Sequence, residues 1–350
     1  MSISANFNES RLTTLALAKV GNPLRNEPLL TSKALCRFDD DEADLLTACF
    51  LKSFKSLELH QLKGTRGPES NPLFEYASAV FKTPGELLTA SAEIAKHLYA
   101  KSHHPNIKSG DLCISLIEGI IVQGQATQGL CIIKSENKVP FLQVAEHDGD
   151  LVLTTQHGIY PDKIDKGCLV VNHGANDGYV VYLFDKSGST HFWNRDFAGA
   201  VPVRDDDYLT KRFGQLCVDF AQKGLPEGAN EERRMAVAGK ALDYLSDNKN
   251  FELSDFEQSL EEPELIDQFT HFRKNYGEET GTVLEDQFSV SAPEAKKAKR
   301  QLKGRLKLDT GAELRLSSAF IDQAETLLER GYDQDKEMNY LKIYFDRQLP

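Results

Sequence analysis

The stretch that decides the fold of the first half of the chain is DLCISLIEGIIVQGQATQGLCIIKSENK, residues 111–138. It is rich in β-branched and apolar residues and predicts two strands, 111–122 and 128–135. Turn signals separate the shorter strands that follow, which are predicted at 140–146, 150–155, 167–172, 178–185 and 190–193. Because many short strands occur without a strand–helix–strand rhythm, we expect an antiparallel sheet.

Strand and helix patterns also precede this region. Residues 11–20 predict a strand, and 29–38 suits a strand less clearly. Acidic residues at 39–41 introduce a helical pattern that continues to Phe54, and 85–101 predicts a second helix with a regular apolar face. We expect these helices to pack on one face of the sheet, which gives the α+β fold class.

The character of the sequence changes after residue 203. Arg204 is followed by an acidic run at 205–207, and four helical patterns then cover 207–223, 230–247, 254–260 and 263–276. A chain of 350 residues is also longer than a typical single domain. We therefore predict an α+β domain over 1–203, built on an antiparallel sheet with flanking helices. A mainly helical domain over 204–350 should end in a small β element.

The overall charge restricts the partners that the chain can bind. Its formal net charge is −12, which repels nucleic acid and anionic membranes, so binding to either needs a local basic patch. No apolar run is long enough for a transmembrane helix, and the N-terminus lacks secretion-signal features. The six cysteines lie far apart without zinc-ligand spacing. We expect a cytoplasmic protein with reduced, buried thiols and no membrane partner.

Common catalytic motifs are absent, including the nucleophile elbow, the P-loop and the zinc-protease helix. One short pattern is typical of metal-dependent nucleases: Asp111 starts a predicted strand, while Glu136 and Lys138 end the next. In such enzymes two carboxylates hold Mg²⁺, and the lysine orients or activates water. A charged turn at the end of a hairpin strand explains the same residues. We therefore expect no catalytic residue, no metal and no cofactor.

The strongest physical signal lies in FSVSAPEAKKAKRQLKGRLKLDTGAELRLS, residues 288–317. Ser291 and Glu294 predict a capping box at the start of a helix, and Gly304 predicts its C-cap. The spacing of Ala295, Ala298 and Leu302 places them on one face of this helix. A hairpin at 305–317 should likewise place its leucines, Leu306, Leu308, Leu314 and Leu316, on one face. The cations on the opposite sides form the predicted DNA contact: Lys296, Lys297, Lys299, Arg300, Lys303, Arg305, Lys307 and Arg315.

Seven of these cations fall within 296–307, where no acidic residue occurs. An alternative interpretation is that these lysines lie on a solvated helix face and only aid solubility. Such faces usually carry charges of both signs, and this run does not. The strand pattern at 340–345 would add aromatic and charged residues to the same surface if it paired with the hairpin. The pattern at 340–345 is explained at least as well by an edge strand whose polar side chains face solvent.

Long segments of the chain resemble the bacterial nucleoid-associated protein family of the NdpA/YejK type, particularly its Bacteroidetes-like branch. They are LALAKVGN at 15–22, EIAKHLYAKSHHPNIKSGDL at 93–112, IIKSENK at 132–138, DKGCLVVN at 165–172, DYLTKRFGQLCVDF at 207–220, FSVSAPEAKKAKRQLKGRLKLD at 288–309 and RGYDQDKEMNYLKIYF at 330–345. The resemblance implies a cytoplasmic protein associated with the nucleoid, and it implies no catalytic residues.

Three functions are consistent with these observations. The first is non-enzymatic DNA binding by phosphate contacts, with little sequence specificity because the cations contact backbone rather than bases. The second is a protein-interaction adaptor at the nucleoid, for example with proteins that control DNA topology, in which the acidic segment 252–286 docks basic partners. The third is the Mg²⁺-dependent nuclease. The oligomeric state is left open by the sequence.

Overall fold

The computed structural model describes residues 5–54, 57–160, 163–187, 191–229, 231–280, 283–317, 320 and 323–347. Within that part, the side chains of 231–232, 303–307, 324–325 and 330 are outside the description. Contacts along the chain divide it into two compact units, of which the first ends at Val203 and the second begins at Arg204. None of the described helices is long and apolar enough to cross a membrane.

The N-terminal unit is built on a nine-stranded antiparallel sheet. Its central pairs join long strands, such as β5 and β6, where Cys113 lies opposite Ile133 and the register shifts once between Ile117 and Ile120. The strands of this unit are β1 Ala5–Asn6, β2 Arg11–Val20, β3 Leu29–Thr31, β4 Leu59–Leu62, β5 Gly110–Val122, β6 Gln125–Ser135, β7 Val139–His147, β8 Asp150–Gly158, β9 Lys166–Val171, β10 Val180–Asp185 and β11 Ala200–Pro202. The sheet order is β11-β4-β10-β9-β6-β5-β2-β3, with β1 also paired to β5, while β7 and β8 form a separate hairpin.

Helices cover both faces of this sheet. Helix α1 (Asp40–Leu51) packs with Phe50 and Phe54 on the face that carries Ile117 and Ile133. Helices α2 (Pro72–Lys82) and α3 (Leu87–Lys101) pack on the opposite face. The expectation that the helices share one face was therefore wrong, because strand β5 is apolar on both sides and buries both.

Two elements of this unit differ from the sequence prediction. Helix α2 was not predicted, and it begins where the Asn71 side chain accepts hydrogen bonds from the Leu73 and Phe74 amides at 2.8 and 3.3 Å. The strand predicted at 190–193 is wrong, since His191–Phe197 is a π-helical stretch. Its Trp193 is fully buried and donates from Nε1 to the Gly167 carbonyl at 2.9 Å.

The C-terminal unit is mainly helical, as predicted, and its core is rich in phenylalanine. Phe213 lies at the centre, with ring centroids of Phe251 and Phe256 at 4.1 and 5.0 Å. Its helices are α4 Asp206–Asp219, α5 Glu231–Asp247, α6 Leu253–Ser259, α7 Pro263–Thr280, α8 Ala292–Gln301 and α9 Ala324–Leu327. Three short antiparallel pairs accompany them: β12 Asn250–Glu252 with β13 Gln287–Ser289, β14 Lys303–Lys307 with β15 Glu313–Ser317, and β16 Leu328–Asp333 with β17 Met338–Ile343. The α+β fold class is confirmed.

The last strand does not extend the basic hairpin. Strand β17 pairs with β16, and its register places Tyr340 opposite Gly331. Phe345 was expected to point inward, but 72% of it is exposed. The aromatic and charged residues of this segment therefore belong to a separate two-stranded element.

Candidate nucleic-acid interface

The basic helix predicted from the sequence is α8, and it begins after Ser291 as expected. Its predicted capping box is absent, because the Ser291 side chain makes no capping hydrogen bond. The Ser291 amide instead donates to the Thr210 hydroxyl at 2.9 Å, and the Glu294 carboxylate lies 3.3 Å from Lys297 Nζ. The start of α8 is thus held by a tertiary contact to α4 rather than by a local cap.

Helix α8 rests on α4 and α5 through its small apolar face. Ala295 is fully buried in the phenylalanine-rich core, and Leu302, which ends the helix, is buried beside it. A Cβ atom added to Gly214 of α4 would lie 3.1 Å from Ala298 Cβ, so the two helices approach closely there. Because this face is apolar and packed, Lys296, Lys297 and Arg300 lie on the outer side of α8.

The four cations of α8 differ in their surroundings. Lys296, Lys297 and Arg300 are exposed, whereas Lys299 is half-buried with its Nζ 2.5 Å from the Asp243 carboxylate on α5. Lys296 and Arg300 are four residues apart and so share one side of the helix. Within the described part of the chain, neither of these two lies within ion-pair distance of a carboxylate.

The hairpin formed by β14 and β15 adjoins the end of α8. Its register pairs Arg305 with Arg315 and Leu306 with Leu314, so alternation along the two strands is as predicted. Gly304 lies within β14 and is not the helix C-cap, which is Leu302. Arg315 is exposed, and its Nε donates to Glu313 at 3.0 Å.

The leucines of the hairpin are only partly buried. Leu316 is buried and Leu314 half-buried, but Leu308 is exposed, so the expectation of a uniformly buried leucine face was wrong for it. The predicted contacts Lys303, Arg305 and Lys307, with Leu306, have side chains outside the described part. We call the eight predicted cations on α8 and this hairpin the basic surface: Lys296, Lys297, Lys299, Arg300, Lys303, Arg305, Lys307 and Arg315.

Carboxylates lie next to several cations of the basic surface and partly neutralise them. Of its five described cations, Lys297, Lys299 and Arg315 each lie beside one carboxylate. Exposed ion pairs of this kind are weak, at about 0–1 kcal/mol, so an incoming phosphate can compete for the cation. The chemistry that the described cations make available here is the binding of anions by charge.

The residues proposed for a nuclease lie elsewhere, at one end of the large sheet. Asp111 is paired with Lys138, with Oδ2 and Nζ 2.8 Å apart. Glu136 is nearly fully buried and lies between two buried lysines, 2.8 Å from Lys134 Nζ and 3.4 Å from Lys166 Nζ. Both carboxylates are therefore engaged by ammonium groups, which does not favour the nuclease interpretation. No group of three metal-ligating side chains gathers within the described residues.

The buried ion network around Glu136 was not predicted. Lys166 Nζ also lies 2.9 Å from Asp185, and Lys134 Nζ donates to the Lys108 carbonyl at 2.7 Å. Burial lowers the pKa of Lys134, while the attraction of Glu136 acts in the opposite direction. Burial raises the pKa of Asp185, but hydrogen bonds from Ser187 and Lys166 outweigh it and leave the pKa lowered.

One sequence signal could have found part of this network. Lys134 follows the apolar run Leu130–Ile133 and lies within a strand that is buried on both sides, where an unpaired cation would be costly. Its partners could not be read from the pattern, since Lys166 lies 32 residues further along the chain.

Comparisons with known proteins support the resemblance noted in the sequence. No curated protein matches the chain in a sequence search. A family model described as nucleoid-associated protein YejK matches residues 19–339, which include most of the large sheet, the helices of the C-terminal unit and the basic surface. Because the match extends over most of both units, the chain belongs to this family of nucleoid-associated proteins.

Proposed function

We propose that this protein binds DNA in the bacterial nucleoid through the basic surface, without catalysing a reaction on it. The family supports a nucleoid-associated role. The observation that carries the DNA contact is the run 296–307, which has seven cations and no acid in a chain of net charge −12. Cytoplasmic localisation follows from the same role.

Phosphate contacts account for binding of this kind. Lysine and arginine side chains on the outer side of α8 can reach the DNA backbone, and they carry no pattern that distinguishes one base pair from another. If about four to six of the eight cations contact phosphates, log K falls with log salt at a slope of roughly −4 to −5. Binding should therefore weaken steeply above physiological salt and depend little on DNA sequence.

Charge reversal on α8 tests this proposal. We choose Lys296→Glu with Arg300→Glu, because both side chains are exposed and lie on one side of the helix. At about 0.1 M salt we expect DNA affinity to fall by roughly 10- to 100-fold, and the salt slope to shrink by about two. Fluorescence anisotropy with a labelled duplex, repeated at several salt concentrations, measures both quantities.

A matched control has the same change in charge on the N-terminal unit. Lys33→Glu with Lys63→Glu alters two exposed lysines that lie outside the basic surface. This variant should bind DNA within about twofold of the unchanged protein, which is the scale of a weak surface electrostatic effect. Unchanged affinity in a folded α8 variant, or equal losses in both variants, would contradict the proposed contact.

A second candidate function rests on the acidic segment 252–286. It carries 11 acids against two cations, and two of those acids form the ion pairs Lys240–Glu261 and Arg273–Asp286 at 2.9 and 2.6 Å. Such a surface suits a basic protein partner at the nucleoid, and proteins that control DNA topology are one class. If the α8 variant keeps its nucleoid association in cells but does not bind DNA, this adaptor function is favoured.

A further inference from the structure

The hairpin of β7 and β8 stands apart from the large sheet. Its two strands pair only with each other, from Val139 opposite Gly158 to His147 opposite Asp150. We call residues 139–158 the β7–β8 arm. At roughly 3.4 Å per residue, nine paired residues extend about 30 Å. A two-stranded hairpin is at best marginally stable alone, so contact with a partner would stabilise an arm of this length.

One face of the arm is aliphatic and exposed. The register places Leu142, Val144, Leu151 and Leu153 on the same face, and each of them is between 65% and 74% exposed. Isolated exposed leucines are ordinary on protein surfaces, but four adjacent aliphatic side chains on one small element form a patch. Patches of this kind mark interaction sites.

We infer that the aliphatic face of the β7–β8 arm is the contact through which two copies of this chain form a dimer. An aliphatic face is complementary to itself, which a two-fold interface requires because the same patch is used on both copies. The arm has 20 residues, about half of which lie on this face, so it supplies roughly half of the 20–30 residues per side of a standard interface and suits a weak dimer.

Charge fixes the direction in which the two arms meet. The tip carries three exposed acids, Glu146, Asp148 and Asp150, whereas two exposed lysines flank the base: Lys163, and Lys138, which also contacts Asp111 at 2.8 Å. If the arms lie antiparallel, the acidic tip of each copy lies over the basic base of the other. A parallel arrangement would bring the two acidic tips together.

The same arrangement pairs residues across the aliphatic face. With the two-fold axis at its middle, Val144 of one copy faces Leu142 of the other, and Glu146 faces Pro140. The three acids at the tip also disfavour DNA and anionic membranes as occupants of this surface. A second copy of the chain is therefore the occupant that the arm fits.

Sedimentation analysis of the full chain tests the dimer. Weak standard-size interfaces have micromolar dissociation constants, so we expect a monomer–dimer equilibrium with a dissociation constant below about 100 µM. Val144→Glu buries a charge in the interface and should raise the dissociation constant about thirtyfold or more. The matched control is Gln143→Glu, a neighbour on the opposite face of the arm, which should leave dimerisation within about threefold.

A charge-swap experiment separates loss of contact from loss of folding. Leu142→Lys should also abolish the dimer by itself. Mixing it with the Val144→Glu variant places one glutamate against one lysine and leaves the other Val144–Leu142 contact intact. The mixture should then form a heterodimer. A monomer at every concentration would overturn the inference and leave a different protein as the occupant, and equal effects of Gln143→Glu and Val144→Glu would overturn the choice of face.

Discussion

Replacing Glu136 with glutamine removes the one carboxylate that two buried lysines share. The side chains of Lys134, Glu136 and Lys166 are 0%, 3% and 2% exposed, so water does not screen the lost charge. Breaking a buried ion pair by removing one partner typically costs about 3–5 kcal/mol. In a unit of about 200 residues, each kcal/mol lowers the melting temperature by roughly 2–4 °C, so we expect a decrease of about 6–20 °C.

The pH dependence of this variant has a definite sign. The folded-state pKa of Lys134 already lies below its ordinary value, because burial penalises the ammonium form. Loss of Glu136 removes an attraction that raises it, so the pKa of Lys134 should fall further. Between the folded and unfolded pKa values the unfolded chain binds more protons, so stability rises with pH. The deficit of the variant relative to the unchanged protein should therefore be smaller at about pH 9.5 than at pH 7.

Differential scanning calorimetry at both pH values measures this prediction. Asp111→Asn is a matched control, since it breaks an ion pair at the same end of the sheet whose lysine, Lys138, is 45% exposed. Its cost should stay below about 1 kcal/mol. A Glu136→Gln melting temperature within about 1 °C of the unchanged protein, or a deficit that grows with pH, would refute the account of the network.

Three further predictions concern other parts of the chain. Asp243→Asn removes the carboxylate that lies 2.5 Å from Lys299 Nζ and should strengthen DNA binding about two- to fivefold, measured by anisotropy; weaker binding would contradict the basic surface. Burial raises the pKa of Cys113 to about 12 and also raises those of Cys131, Cys168 and Cys217, so mass spectrometry after native thiol labelling should find only Cys36 and Cys49 modified. Limited proteolysis should cut first near 200–208 or within 277–286 if the two units fold independently, and early cuts in the strands of the large sheet, at 110–135 or 166–185, would contradict that boundary.

The sequence predicted the strands and helices that have a clear period. Strands β2 and β5 and helices α1, α3 and α8 all lie within a few residues of their predicted bounds. Helix α2 was missed because its start at Pro72 follows a stretch rich in glycine, proline and serine, which favours a loop. The 190–193 strand prediction failed because its aromatic residues are buried by a π-helical turn that packs on the sheet.

Tertiary contacts account for what the pattern could not predict at the basic surface. The run of cations in 296–307 is visible in the sequence, but the partner that half-buries Lys299 is Asp243, on a different helix. The capping box failed for a similar reason, since Thr210 of α4 takes the Ser291 amide. The spacing of residues along a helix predicts which side chains share a face. It does not predict which carboxylates neutralise a cation, because those come from helices that are distant in sequence.

A net negative charge on the chain is compatible with a local DNA contact because salt screens the repulsion from acids that are distant from that contact. At physiological salt the Debye length is about 8 Å, so acids beyond that distance from the basic surface are largely screened. The nearby acids then matter most, and three of them already pair with Lys297, Lys299 and Arg315. A phosphate must displace these carboxylates, which reduces the net gain from each contact. Each proposed phosphate contact should therefore be weak, strongly dependent on salt and indifferent to base sequence.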